Sequence, residues 1–340
     1  MAVTIKEVAR EANVSPSTVS RVISNHPGIS ENTKKRVRKA MKELGYHPNL
    51  QARSLVGKST QTIGIVMPNS ATQALQNPFF PEVIRGISLK ACENMYGVYL
   101  TTGKTEEETY EQVVAMVQGR RVDGIILLYS RTDDRLMQYL LAEQFPFTVI
   151  GRPYKNAEHM TYVDNDNIHI TKRITEHLIQ NGHEHIAYIG TNMDFVFTID
   201  RMEGYKQALS DAGIPFDEKY IIDDAQIKKE GKEGILKFLE DTAPLTAIVV
   251  ADDILAIELL SYTEALNLSI PENISMISFN NILLAEYTKP ALTTVDINIF
   301  QLGFEAASCL VEKIKNPDVL PRRITIPSKM IERKSVKKIK

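Results

Sequence analysis

The sequence predicts an α/β protein: a small all-α head followed by a larger core of parallel sheets covered by helices. Three observations carry this. Helical periodicity of short range fills the first 47 residues. From Gln61 onward, apolar strand-like runs alternate with amphipathic helices. The charge also divides with the architecture: residues 1–58 hold eleven Lys/Arg against four Asp/Glu, a net +7, while the other 282 hold 29 against 38, a net −9. A basic head on an acidic body suggests that the head meets a polyanion, although charge alone leaves a solvated charged surface open.

In the head, Ile5, Val8, Ala9 and Ala12 share one helical face, and Asn13 supplies a turn residue that tolerates a left-handed conformation. The next stretch, "VSPSTVSRVIS" from Val14 to Ser24, begins with Ser15 as N-cap and Pro16 as first helical residue. Val19, Val22 and Ile23 recur at i, i+3, i+4 and face a core, so Ser17, Thr18 and Arg21 project outward beside Ser20. Ser30 caps a third helix with Val37, Ala40, Met41 and Leu44 on one face, and Gly45 ends it. Three short helices with a tight second turn make a helix-turn-helix module, whose second helix enters the DNA major groove. Its hydroxyls can bond bases or phosphates, and Arg21 can pair with guanine or neutralise phosphate. Lys34, Lys35, Arg36, Arg38 and Lys39 add backbone attraction.

"HPNLQARSLVGKS" follows, with a start at Pro48 and about two helical turns from Asn49 to Val56 before Gly57. A helix this short orders only against a partner. A leucine on a basic, DNA-adjacent helix is a candidate wedge between base steps; packing of that leucine on the body is the alternative.

The core carries strand-like runs "TIGIVMP", "VYLTTG", "GIILLYS", "FTVIGR", "HIAYIGT", "AIVVADD" and "SMISFN", with helices expected over Pro81–Tyr96, Ile168–Asn181, Asp200–Ala212 and Ile254–Asn267. Apolar strands separated by helices imply parallel sheets covered on both faces. The strands are too many for one sheet with a single switch point, and "YVDNDN" near residue 164 reads as a crossing between two lobes. Ligands of such sheets bind beyond the strand C-terminal ends, here Asn69, Ser130, Arg152, Asp252 and Asn280.

No catalytic constellation stands out: the chain lacks a G-x-S-x-G elbow, a Walker loop and a dinucleotide fingerprint, so no enzyme activity, cofactor or metal is expected. His183 and His185 flank Glu184 before a strand, at a helix C-terminus where histidine suits the dipole. Asp252 and Asp253 end a strand and serve as hydroxyl acceptors, as a helix N-cap, or one residue as each. Cys92 and Cys309 are read as two buried thiols in a reducing cytosol. The first residues, with Lys6, Glu7 and Arg10, do not form a signal peptide, and no apolar run approaches membrane-spanning length, so a cytoplasmic protein without membrane partners is expected.

"VTIKEVAREANVSPSTVSRVIS", "ISENTKKRVRKAMKELGYHPN", "ARSL", "IGIVMP", "NPFF", "VDGIIL", "VDNDN", "HLIQNGHEHIAYIG", "RMEGY", "ADD" and "PALTTVDIN" occur in order along nearly the whole chain. Together they resemble the lactose/galactose repressor family of bacterial transcription factors, and "LLYS…VIGRP" with "SFNN…LAEYTKPALTTVDIN" look most like its maltose-operon repressors from Gram-positive bacteria. The resemblance implies a helix-turn-helix head at 1–47, a hinge helix and linker at 48–60, and a two-lobed periplasmic-binding-protein-like core at 61–340. The first lobe is expected at about 61–162 plus 291–320 and the second at about 163–290 plus 321–336. It implies DNA contacts from Thr4, Ser15, Pro16, Ser17, Thr18 and Arg21, and hinge contacts from Asn49, Ala52 and Leu55, with Leu55 as the minor-groove wedge. In the core it implies effector contacts from Asn77–Phe80, at the effector-facing start of the first helix, from Arg201 as a clamp, and from Asp252 and Asn280. Many relatives carry aspartate at the last position, so Asn280 removes a charge and weakens a direct transfer of sugar contacts.

Saccharides bind by aromatic stacking and by forked hydrogen bonds. Phe79, Phe80, Tyr129, Phe195 and Phe197 lie at or near strand ends, and the chain has no Trp, so Phe and Tyr must serve. For Phe79 or Phe195, core packing is the competing role. Arg152 joins Arg201 among the polar candidates. The expected protein is a homodimeric repressor of double-stranded operator DNA controlled by a sugar, with maltose or a maltodextrin as effector. The C-terminal "MIERKSVKKIK" has no leucine heptads for a tetramer-forming tail. A global regulator controlled by a phosphoprotein or a nucleotide-like effector is the alternative. A transport-type sugar-binding protein is a further one, which the basic head and the missing signal peptide disfavour.

Overall fold

The structure is a computed structural model that describes residues 3–23, 25–46, 59–68, 74–242 and 244–339. The expected hinge helix, with Asn49, Ala52 and Leu55, lies outside the described residues, as does Asn69. The chain divides into two compact units, one ending at Thr60 and one beginning at Gln61.

The first unit holds α1 (Ile5–Glu11), α2 (Pro16–Ile23) and α3 (Glu31–Leu44). Asn13 turns the chain at φ 47°, and Gly45 ends α3 at φ 63°, both left-handed as their side chains permit. Ser30 accepts from the Thr33 N–H to start α3. Val8, Ala9, Ala12, Val19, Val22, Val37 and Ala40 form a small buried core. These are the periodic apolar positions, so the pattern that makes each helix amphipathic also selects its packing face.

The second unit contains two six-stranded sheets. The first has the order β11-β5-β4-β3-β1-β2, from β1 (Thr62–Val66), β2 (Gly97–Leu100), β3 (Gly124–Leu127), β4 (Phe147–Ile150), β5 (Tyr162–Asp164) and β11 (Arg323–Thr325), all parallel. The second has the order β12-β10-β9-β8-β6-β7, from β6 (Ile186–Thr191), β7 (Ile221–Asp223), β8 (Ala247–Val250), β9 (Ser275–Phe279), β10 (Thr293–Asp296) and β12 (Lys329–Ile331), with only β12 antiparallel. The central strands β3, β4, β8 and β9 are buried along their whole length, as parallel strands covered on both faces must be. The covering helices are α4 (Phe79–Glu93), α5 (Glu106–Gln118), α6 (Arg135–Ala142), α7 (Asn167–Gln180), α8 (Val196–Asp211), α9 (Asp224–Asp241), α10 (Asp253–Ala265), α11 (Leu283–Tyr287) and α12 (Ile299–Lys315).

The chain crosses between lobes three times, and the pairing corrects the expected lobe boundaries. Residues 293–296, assigned from sequence to the first lobe, pair beside β9 in the second sheet. Residues 323–325, assigned to the second, pair beside β5 in the first sheet, and β5 itself runs to Asp164. In each case the strand is completed in one lobe and the switch falls just after it, at Asn165, Ile297 and Ile326. Asn165 ties the three crossings together: its buried Nδ2 donates to the carbonyls of Ile297 (3.0 Å) and Ile326 (2.9 Å).

Two helix pairs are packed closely through glycine. A Cβ on Gly204 would lie 2.1 Å from the Ile168 carbonyl oxygen, and one on Gly303 2.1 Å from that of Val83. The glycine of "RMEGY" therefore seats α8 directly on α7.

Candidate DNA-reading helix and inter-lobe cleft

In the head, Ser15, Pro16, Ser17, Ser20 and Arg21 are exposed along α2 while Val19 and Val22 are buried. Ser15 Oγ accepts from the Thr18 N–H at 3.2 Å and lies 2.9 Å from Thr18 Oγ1 and 2.8 Å from Ser17 Oγ. The N-cap thus gathers three hydroxyls at the helix N-terminus, where the macrodipole favours an anion or an electron-rich base edge. Thr4 is committed differently: its N–H and hydroxyl both donate to Glu7 Oε2, at 2.7 and 2.8 Å, which holds that exposed carboxyl below its ordinary value. The Thr4 oxygen remains only an acceptor. Lys34 is also removed from the basic surface, since it is buried against Glu31 at 2.7 Å.

Between the lobes of the core lies a cleft of about 580 Å³ that brings together Phe79, Phe80, Phe195, Arg201, Asp252 and Asn280. Six of the seven effector candidates therefore share one cavity. Phe79 and Phe80, at the start of α4, meet edge to face with centroids 5.2 Å apart. Phe195 and Phe197, before and within the first turn of α8, stack at 5.7 Å. These rings are only partly buried or exposed, so they offer faces to a ligand as well as packing to the core. Asp252 takes the N-cap role: Oδ1 caps α10 at Leu255 N–H (2.8 Å), while Oδ2 accepts from the Asn77 amide Nδ2 across the cleft (3.2 Å). Asp253 is fully buried and structural, accepting from the Ser278 and Thr294 hydroxyls and the Ile282 N–H. It anchors the loop that carries Asn280, whose φ of 103° is unusual for a residue with a Cβ.

Arg201 is 5% exposed and lies in the second turn of α8, because that helix starts at Val196 rather than at Asp200. Nε donates to Asn167 Oδ1 at 3.0 Å, Nη1 donates to the Ala251 carbonyl at 3.1 Å, and the guanidinium stacks on Phe279 at 3.8 Å. Burial lowers the arginine's pKa, opposed by Tyr188, Asp164 and Asp252. Asp164 receives the Arg152 N–H (2.8 Å), the Asn165 N–H (2.7 Å) and Asn167 Nδ2 (3.1 Å). Burial nevertheless pushes its carboxyl up to about 6.

Arg152 is the candidate that the structure does not bring to the cleft wall. Its guanidinium is taken by Asp200, with Nη2 at 2.7 Å and Nε at 3.2 Å. The forked, charge-assisted contact occupies two of the guanidinium's donors. The sequence reading missed Arg131, Asp164, Asn165 and Asn167. The dense polar run "YVDNDN" is the available signal; it reads as a lobe crossing and a family motif, which assigns none of its side chains to the cleft. Arg131 lines the cleft, bonds Glu106 at 2.6 Å and the Pro68 carbonyl at 2.9 Å, and lies over the rings of Tyr129 and Phe195. His183 and His185 each have a partner in the fold, the Lys337 carbonyl at 3.0 Å and the Tyr220 hydroxyl at 2.8 Å. Among the described residues no helix is long and apolar enough to cross a membrane.

The family model for bacterial regulatory proteins of the lacI family matches residues 4–49, and that for a periplasmic binding protein-like domain matches residues 175–336. The chain is 41% identical to the HTH-type transcriptional regulator MalR of Streptococcus pneumoniae, over 98% of this chain and all of that one. It resembles the solved complex of the transcriptional regulator CelR with cellobiose (TM-score 0.75, 31% identity, 98% of this chain and 99% of that one). It also resembles a probable maltose operon transcriptional repressor, malR, from Staphylococcus aureus (TM-score 0.75, 30% identity, 82% of this chain and 98% of that one). With a helix-turn-helix head, a two-lobed core and end-to-end similarity to such regulators, the chain belongs to the lacI family of bacterial regulatory proteins.

Proposed function

We propose that this protein is a homodimeric, cytoplasmic repressor, without enzyme activity, whose affinity for a double-stranded operator is set by a sugar in the inter-lobe cleft, with maltose or a maltodextrin as effector. The observation that carries the reading is the cleft itself. Aromatic faces at Phe79, Phe80, Phe195 and Phe197 surround the forked polar groups of Arg201, Asp252 and Asn280, the combination that stacks a pyranose and bonds its hydroxyls. The similarity to CelR, solved as a cellobiose complex, and to a probable maltose operon repressor supports a disaccharide.

Ser15, Pro16, Ser17, Thr18 and Arg21 read the major groove in this account, with Thr4 supporting at the backbone. Asn49, Ala52 and Leu55 act at the operator centre, where paired Leu55 wedges unstack a base step and bend the duplex. Dimerisation is supported by apolar exposure on both lobes: Met95 and Tyr99 on the first, Leu283 and Tyr287 on the second. Calorimetry of the full chain with a sugar panel tests the reading: heat from maltose supports it, and no heat from any mono- or disaccharide overturns it.

A further inference from the structure

Arg152 and Asp200 belong to different lobes. Arg152 follows β4 of the first and Asp200 lies on α8 of the second, so their two-pronged contact at 2.7 and 3.2 Å spans the gap beside the cleft. Further ties between the lobes among the described residues are of other kinds: Asn77 to Asp252, the Val196 N–H to the Ser130 carbonyl (3.0 Å), the Thr132 N–H to the Asp194 carbonyl (2.9 Å), and the Arg131 guanidinium over the Phe195 ring. A charged pair with forked geometry is the strongest of these, and the Asp200 side chain is 10% exposed.

The pair also closes a ring of contacts. The Arg152 N–H donates to Asp164, Asp164 accepts from Asn167 Nδ2, Asn167 accepts from Arg201 Nε, and Arg201 follows Asp200 along α8. The ring therefore joins the end of a first-lobe strand, the first crossing and the second-lobe helix that carries the proposed effector clamp. A change of lobe angle that breaks the ion pair must also move the Arg201 guanidinium, and a ligand on that guanidinium bears on the pair.

We propose that Arg152 and Asp200 form a latch that holds the lobes closed and thereby sets the effector concentration at which the protein responds. Arg152 is a positioning residue in this account, acting through the lobe angle without touching the sugar. The sugar threshold rests on the function proposed above; lobe closure does not. Breaking the latch lowers the population of closed core, so the apparent sugar affinity falls by that fraction.

The test uses the full chain in a Cys92→Ser background, with spin labels at Glu143→Cys on the first lobe and Ser210→Cys on the second, and maltose as probe. Pulsed electron resonance reads the inter-lobe distance, and calorimetry reads the half-saturating maltose concentration. Arg152→Ala and Asp200→Asn are each expected to lengthen and broaden the distance and to raise half-saturation by about tenfold. The swap Arg152→Asp with Asp200→Arg is expected to restore both, and Arg152→Lys, which keeps the charge but loses the fork, to fall between. A purely structural role would lower thermal stability without moving the distance. Unchanged distances in both single variants overturn the latch, as does a longer distance with unaltered half-saturation. If wild-type protein gives no heat with maltose or any sugar of the panel, the sugar reading fails, and the distances alone decide the latch.

Discussion

The Nε of Arg201 donates to Asn167 Oδ1 at 3.0 Å, so the proposed effector clamp is held from the residue that opens α7. Arg201→Ala is expected to abolish the sugar response while leaving operator binding. It also strands the amide of Asn167 and the Ala251 carbonyl in a buried place, lowering core stability by about 2–4 kcal/mol. Urea unfolding checks the second effect, and operator titrations with and without maltose check the first. A variant with wild-type sugar response removes Arg201 from the clamp role.

Arg21 is the one charged side chain on α2, exposed one turn beyond the hydroxyl cluster at Ser15, Ser17 and Thr18. Arg21→Ala is expected to lower specific operator affinity by about 1–3 kcal/mol, the scale of one forked base contact. Loss of discrimination at a single base pair distinguishes base reading from phosphate contact, which would weaken all sequences alike.

Much of the molecule was legible in the sequence because its signals are local. Helix faces such as Val37, Ala40, Met41 and Leu44 are set by period, and the caps at Ser15, Ser30 and Gly45 by side-chain chemistry. Asp252 and Asn280 follow strands β8 and β9 and share one cleft with four candidates from or beside helix starts, because strand C-termini and the helix starts that follow them converge in parallel sheets. What escaped was pairing across the chain. That Arg152 meets Asp200, and that residues 293–296 complete the second sheet, depends on partners 48 residues away and on strand order, neither of which a periodicity encodes. The loss of Lys34 to Glu31 was equally hidden, since spacing cannot tell which lysine a helix buries.

Tyr287 is 70% exposed beside Leu283 at 73%, on α11 of the second lobe. If this patch closes the dimer, Tyr287→Asp buries a charge there and dissociates it. Light scattering is then expected to give the monomer mass of 38.3 kDa, with weakened operator binding. A variant that keeps twice that mass moves the interface elsewhere.

Asp164 titrates near 6 in the folded protein because burial disfavours its charge, against about 3.9 when unfolded. A folded value raised above the unfolded one means stabilisation that is present at low pH and lost as the group ionises. Relative to Asp164→Asn, which does not titrate, the wild-type core is expected to lose stability between about pH 4 and pH 6.5 and then level off. Denaturant midpoints of both proteins across that range check the sign, and a flat or rising difference contradicts it.

The central claim is that one protein couples sugar in the cleft to DNA on the head. Fluorescence anisotropy with a duplex selected by the protein from a random pool, at several salt concentrations and with maltose present or absent, tests it most directly. The account predicts binding to a pseudo-palindromic site that weakens steeply with salt, and a shift with maltose of about tenfold, equivalent to a coupling of about 1.4 kcal/mol. Sequence-independent binding, or an affinity that neither maltose nor any other sugar of the panel changes, would contradict it.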